Sequence, residues 1–235
     1  MKRFLLVVLT ALTIFSAGCG DDSETSKAKA VPSAENSDTP PVPVETLKST
    51  PPPVPHSSEL ENFSDSNVYA NRAVDNFNRR NFHEAAADAT EAIRLAPTNA
   101  VYYVNRGYIY SALNDWSQAV ADFSRAIELD PTNSDAYSGR GIAYGRTGDY
   151  NQAVADLTRA IELNPNDDVS FNGRGVVYAN MGNFDKAVAD LTRAIEINPS
   201  SSSAWQNRGQ CYHELGDETK AQADFTRAQS LGNGK

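Results

Sequence analysis

Cysteine and histidine are scarce in this sequence. Its two cysteines, Cys19 and Cys211, lie in segments of different character, so no disulfide framework can be read. The three histidines, His56, His83 and His213, are far apart in the chain. There is no H-E-x-x-H, nucleophile elbow, metal-ligand cluster or phosphate-binding loop, so no catalytic, metal or cofactor site is expected. Runs of basic residues are also missing. With 21 Lys and Arg against 30 Asp and Glu, the net charge is −9, the wrong sign for neutralising the phosphates of a nucleic acid. The longest apolar run, residues 4–15, has 12 mostly apolar positions. A bilayer-spanning helix needs roughly 20.

That short run has the make-up of a targeting leader. Lys2 and Arg3 precede it, and the small residues Ser16, Ala17 and Gly18 follow it, directly before Cys19. Residues 1–18 read as a signal peptide, whose removal would take the charge from −9 to −11 by loss of Lys2 and Arg3. The small-residue stretch before Cys19 resembles the lipobox of bacterial lipoproteins, with Ser16 where leucine is usual. The resemblance implies cleavage before Cys19, lipid (palmitate among its acyl chains) on that residue, and a membrane-anchored protein of the cell envelope facing the periplasm. An ordinary secretory leader, giving a soluble exported protein, is the alternative.

Residues 19–65 are rich in Ser, Thr, Pro and acidic side chains, with Pro51-Pro52-Pro53-Val54-Pro55 as the stiffest piece. They carry too little apolar surface to offset the entropy of folding and read as a disordered tether. The proline run serves as a spacer or as a docking motif for a groove-type partner.

From Ser66 onward the sequence is periodic. Prolines recur every 34 residues at Pro97, Pro131, Pro165 and Pro199. Glycines keep the same period at Gly107, Gly141, Gly175 and Gly209, each preceded by an arginine. A fixed period of this length marks stacked helix–turn–helix units. The register divides the region into units 66–99, 100–133, 134–167, 168–201 and 202–235. Within the second unit, Tyr103, Gly107 and Tyr110 share one helical face, and Ala119, Phe123, Ala126 and Ile127 share another. A mid-helix glycine is unfavourable by about 1 kcal/mol against alanine, and Gly107 set opposite Ala119 would let the two helices approach closely. Asn114-Asp115, Gly148-Asp149, Gly182-Asn183 and Gly216-Asp217 read as a left-handed helix end followed by an N-cap, with Gln118, Gln152 and Glu84 placed to complete capping boxes.

In order and spacing, Tyr103, Gly107, Tyr110, Ala119, Phe123, Ala126 and Pro131 resemble the tetratricopeptide repeat. Asn105-Arg106-Gly107 and Asn207-Arg208-Gly209 are similar to its Asn-Arg-Gly subtype. The resemblance implies an all-α, right-handed α-solenoid and a non-catalytic scaffold or adaptor for partner proteins or peptides. It places the first helices along a concave groove. Val74, Phe77, Val101, Val104, Tyr108, Ser138, Ile142, Asn172, Val176, Gln206, Gln210 and His213 would line it, with Val74, Tyr108, Ile142 and Val176 as an apolar stripe. None of the groove positions is Lys or Arg, so the carboxylate clamp of the chaperone-binding members is lacking.

The first unit departs most from the pattern, with Ala73 for glycine, Ala89 for the bulky apolar residue and Arg80 where Gly or Asn is usual. In the last unit Gln229 replaces isoleucine, and no extra capping helix follows. Its outer surface would then serve self-association into a structural scaffold, or simply tolerate water. Finally, Arg72, Arg106, Arg140, Arg174 and Arg208 recur in step with Asp88, Asp122, Asp156, Asp190 and Asp224. Five copies of one pair point to structural ion pairs, with Arg125, Arg159, Arg193 and Arg227 placed to share the aspartates.

Overall fold

A computed structural model describes the backbone of residues 57–232 and the side chains of residues 65–232. Residues 1–18, read as a signal peptide, lie outside the described residues, as do Cys19 and most of the segment read as a tether. Ten helices run in order: α1 (Ser57–Asn78), α2 (Phe82–Leu95), α3 (Ala100–Ala112), α4 (Trp116–Leu129), α5 (Ser134–Thr147), α6 (Tyr150–Leu163), α7 (Asp168–Asn180), α8 (Phe184–Ile197), α9 (Ser202–Glu214) and α10 (Glu218–Gly232). Among the described residues there is no strand, and no helix is long and apolar enough to cross a membrane. The fold is an all-α solenoid of helical repeats.

Helix α1 corrects one boundary. It starts at Ser57, so residues 57–65, read above as tether, are helical.

Turn chemistry sets the hairpins. Asn114, Gly148, Gly182 and Gly216 adopt positive φ, as their residue types predict; Arg80 does so too, at φ 65°, a conformation costly for a side chain of its size. The capping boxes do not form. The N–H that a box would engage already bonds five residues back, as in Asp115 to the Tyr110 carbonyl and Asp149 to the Tyr144 carbonyl, both 2.9 Å. Among the expected N-caps, Asp115 and Asp217 accept bonds from the amides of Gln118 and Lys220, whereas Asp149 and Asn183 make no side-chain cap bond; nor does Asn81, which precedes α2. At the other end of each unit, Ala96, Asp130, Asn164 and Asn198 precede proline and are pushed out of the helical region, at φ between −131° and −139°.

Two kinds of contact build the stack. Each helix pair packs on itself, and each even-numbered helix packs on the odd-numbered helix of the next unit. Odd-numbered helices also touch one another in sequence, α1 to α3, α3 to α5, α5 to α7 and α7 to α9, while consecutive even-numbered helices do not. The stack therefore bends with the odd-numbered helices on its inner side. Its core is a row of small clusters, typified by Val104, Ala119, Phe123, Ala126, Ala136 and Ala143.

The glycines act on different neighbours from those expected. A Cβ on Gly107 would meet the Phe123 ring at 2.8 Å, and one on Gly141 would meet Leu157 at 2.7 Å, with the backbone oxygen of Ala153 next at 3.2 Å. Each glycine makes room mainly for the bulky residue of the second helix, rather than for the alanine. This joins two of the first unit's departures: with Ala89 in place of a bulky residue, Ala73 fits where glycine is otherwise required. Both alanines are buried.

Candidate functional site: a rung of charge and an inner face

The recurrent arginines and aspartates form one assembly per unit. Arg106 donates through Nε and Nη2 to the two carboxylate oxygens of Asp122, both at 2.8 Å. Arg140 holds Asp156 in the same way at 2.7 and 2.9 Å, Arg174 holds Asp190 at 2.7 and 2.8 Å, and Arg208 holds Asp224 at 2.8 and 2.9 Å. Arg72 engages Asp88 through the same two nitrogens, and Asn76 adds a bond to that carboxylate. Each pair lies within its own unit. The bonds to Asp88, Arg72 foremost, hold that carboxyl below the usual aspartate range. The hydrogen bond to its aspartate raises each arginine further above its already high value.

Three neighbours of the rung were not legible as such. Signature aromatics flank the guanidinium: Tyr103 and Tyr110 lie 5.9 and 5.7 Å from that of Arg106, and Trp205 and Tyr212 lie 4.9 and 5.7 Å from that of Arg208. The remaining nitrogen, Nη1, reaches back to a hydroxyl of the preceding unit: Arg106 to Thr90, Arg140 to Ser124, Arg174 to Thr158 and Arg208 to Thr192, at 2.9–3.1 Å. Each rung thus ties its own hairpin together, and from the second unit onward couples it to the one before. The signal was present in the sequence, since Thr90, Ser124, Thr158, Thr192 and Thr226 keep the 34-residue period. Conversely, Arg125, Arg159 and Arg193 do not share the aspartates. They pair forward with the exposed Glu128, Glu162 and Glu196 at 2.7–3.0 Å, whereas the aspartates are buried against the first helix of each unit.

The proposed groove residues divide by accessibility. Val104 and Val176 are buried, and Ser138 is buried and accepts a bond from Ser170 at 2.8 Å. These three are packing residues between adjacent odd-numbered helices. Val74, Tyr108 and Ile142 are half-buried. The Tyr108 hydroxyl donates to the Asp135 carbonyl at 3.3 Å, and its ring packs edge-on against Phe123. Burial, with Asp135 and Asp167 nearby, pushes that phenol far above its ordinary value. The apolar stripe is thus largely roofed by the next odd-numbered helix, as it must be where those helices touch. Phe77 packs on Phe82, and Asn172 accepts from Asn207 at 3.0 Å. Gln210 donates to Glu214, and His213 lies 2.6 Å from Glu218.

What remains open is narrower. Val101 is 53% exposed and Val169 41%, each near the start of an odd-numbered helix, and Gln206 and His213 are exposed further along. Asp167 lies beside Val169. Burial raises its carboxyl above the usual range, while bonds from Ser170 and the Val169 amide act against that rise. Cys211 is buried, and burial pushes its thiol up to about 11, so it is not a reactive thiolate near neutral pH. Among the described residues no group of three or more His, Cys, Asp or Glu side chains converges on one point.

The comparisons agree with this geometry. No curated protein matches the chain in sequence. Among solved structures, MamA superposes with a TM-score of 0.58 at 25% identity, over 68% of this chain and 94% of that one. YrrB, a TPR protein with an unusual peptide-binding site, gives 0.55 at 25% identity over 74% and 90%. PilW, a type IV pilus biogenesis factor, gives 0.66 at 22% identity over 72% and 78%, which speaks for the fold alone. The TPR repeat family matches residues 107–148, and the tetratricopeptide repeat families match residues 134–167, 169–201 and 191–223. On these matches, and on the 34-residue helical hairpins they cover, the chain belongs to the tetratricopeptide repeat family.

Proposed function

We propose that the chain is a non-catalytic adaptor that binds segments of partner proteins along the inner, odd-numbered helices. The observation that carries this reading is how the polar groups are used. The recurrent charges are engaged in structural rungs, while Val101 and Val169 are left exposed on the inner layer. Exposed apolar side chains beside neutral polar ones suit a peptide or helix whose own apolar residues seek cover. Asp135 and Asp167 give the same region an acidic cast, so a partner segment without acidic residues is favoured. The peptide-binding site named for YrrB, at 25% identity, is in keeping with such a role.

The site of action follows from the leader. The adaptor is exported to the bacterial cell envelope and anchored by lipid on Cys19, with the proline-rich segment as a spacer. Anchoring concentrates it near the membrane, so individually weak contacts suffice. Photo-crosslinking in cells from position 101, with position 162 on α6 as control, tests the binding surface. Adducts specific to 101 are expected, and equal labelling from both positions would refute the assignment. Replacing Cys19 with serine should move the protein from the membrane fraction to the soluble one. Retention at the membrane would remove the anchor from this reading.

A further inference from the structure

Four interfaces between units share an arginine-to-hydroxyl bond, three of them around a bulky side chain, and α10 carries the outward half of that arrangement with nothing described on it. In the interior, the bulky residue of an even-numbered helix meets the odd-numbered helix that follows. Phe123, Leu157 and Leu191 are fully buried in this way. At two of these interfaces the facing residue is glycine, while buried Asn207 stands at the same register position beside Leu191. Gly139 faces Phe123, where a Cβ would come within 2.4 Å of the ring, and Gly173 faces Leu157, where a Cβ would be 3.2 Å away. One residue on, Arg140 and Arg174 reach the hydroxyls of Ser124 and Thr158.

On α10 the corresponding residues are Phe225 and Thr226. Phe225 is only half-buried, and Thr226 is exposed. The hydroxyl of Thr226 donates to the Gln222 carbonyl at 2.8 Å, as that of Thr90 donates to the Ala86 carbonyl at 2.8 Å. It therefore holds the orientation in which Thr90 also accepts from Arg106. A hollow lined by Ser202, Gln206, Phe225, Ala228, Gln229 and Gly232 opens beside it. No charged side chain lines that hollow, in a chain of net charge −9. Depletion of charge around an aromatic centre is the composition of an interface core.

A second copy of this chain does not fit. In the repeat register it would present α1, with Asn71 facing Phe225 where Gly139 faces Phe123. It would also bury Asp75, which is exposed and stands where Ile109, Ala143, Val177 and Cys211 are buried. Taking an unpaired carboxylate out of water is strongly unfavourable.

We propose that the outer face of α10 docks a helix of another protein, one that sets a glycine against Phe225 and an arginine on the Thr226 hydroxyl. The surface continues the repeat-to-repeat interface, so the occupant is a first-type helix of a partner repeat protein, carrying small–x–x–Gly–Arg in the manner of Ala136, Gly139 and Arg140.

The probe is a peptide of residues 134–147, cross-linked into a helix on the side away from Ala136, Gly139 and Ala143. It is titrated into the full chain and followed by calorimetry. Saturable binding is expected, weakened roughly tenfold or more by Phe225→Ala, as for a residue at an interface centre. Gln229→Lys, a surface change that spares the core, should have the same effect. A peptide with asparagine in place of Gly139 should not bind. Circular dichroism confirms that both variants remain folded. Absence of binding, equal binding of the asparagine peptide, or indifference to Gln229→Lys each overturns the proposal. So does concentration-dependent association of the chain alone that Gln229→Lys abolishes, which would assign the face to a second copy. These changes lie on α10, so their outcome is independent of crosslinking from position 101.

Discussion

Phe123 fills the space that a side chain at position 139 would need: a Cβ on Gly139 would stand 2.4 Å from Cζ of the ring. The same ring would lie 2.8 Å from a Cβ on Gly107, so one aromatic residue sets the size of two neighbours, one in its own unit and one in the next. Replacing Gly139 with alanine should therefore destabilise the protein by about 1–3 kcal/mol, as overpacking does. Adding Phe123→Leu should recover part of the loss, since Leu157 leaves more room for Gly173. A double-mutant cycle by urea denaturation measures the coupling, and strictly additive effects would contradict the size match.

Removing the arginine of a rung leaves its aspartate buried without a counter-charge. Arg140→Leu should cost about 3 kcal/mol, in the range for breaking a buried pair by deleting one partner. Partner binding on the inner face should persist at temperatures where the variant stays folded. Lost binding with an unchanged melting temperature would give the rung a functional role instead.

The backward bond to a hydroxyl predicts coupling between units. Ser124→Ala removes the acceptor for Arg140 Nη1 and should cost about 1 kcal/mol, the usual net size of one hydrogen bond, because the guanidinium keeps its two bonds to Asp156. In the Arg140→Leu background the same change should cost almost nothing. Thermal denaturation of the four proteins checks this.

Asp167 supplies a pH test with a defined sign. Its carboxyl is raised in the folded state, chiefly by burial, so folding favours the protonated form. Its ionisation then opposes folding: the cost is absent below the ordinary aspartate value, grows as pH rises towards the folded value, and is complete above it. Asp167→Asn keeps an N-cap acceptor and removes the charge. At pH 7 it should raise Tm by roughly 1–3 °C. Near pH 3 the difference should vanish. Asp88 carries the opposite sign: its contribution is present above the ordinary value and is lost as pH falls through its depressed one.

Val101 and Val169 are exposed, so charge there should act on binding rather than on folding. Val101→Asp and Val169→Asp are each expected to change stability by no more than about 0.5 kcal/mol. Both should reduce adduct formation with the natural partner, read by crosslinking from a neighbouring inner-face position. Undiminished capture by the double variant would move the binding surface elsewhere.

The repeat was legible because it is written in local chemistry. Proline sets the backbone of the residue before it, and Gly148, Gly182 and Gly216 supply positive φ without steric cost. Arginine and aspartate sixteen residues apart fall side by side once two helices form a hairpin, so that pairing too could be read from the period. The capping boxes failed for a reason outside the motif: the amide they need already closes the preceding turn. The forward pairing of Arg125, Arg159 and Arg193 likewise depended on burial, since the aspartates face the hairpin partner and the glutamates face solvent.

The sequence by itself determined the helical hairpins, their 34-residue register and the chemistry of each rung, because these depend on residues close along the chain. Only the tertiary structure decided which inner residues stay accessible. Val104 and Ser138 carry the same register position as the exposed Gln206, and contact between successive odd-numbered helices buries them. It also decided that Ala73 with Ala89, and Gly107 with Phe123, are alternative solutions to one packing problem. The reason is geometric: accessibility and fit depend on the space between elements, which is fixed only when neighbouring units meet.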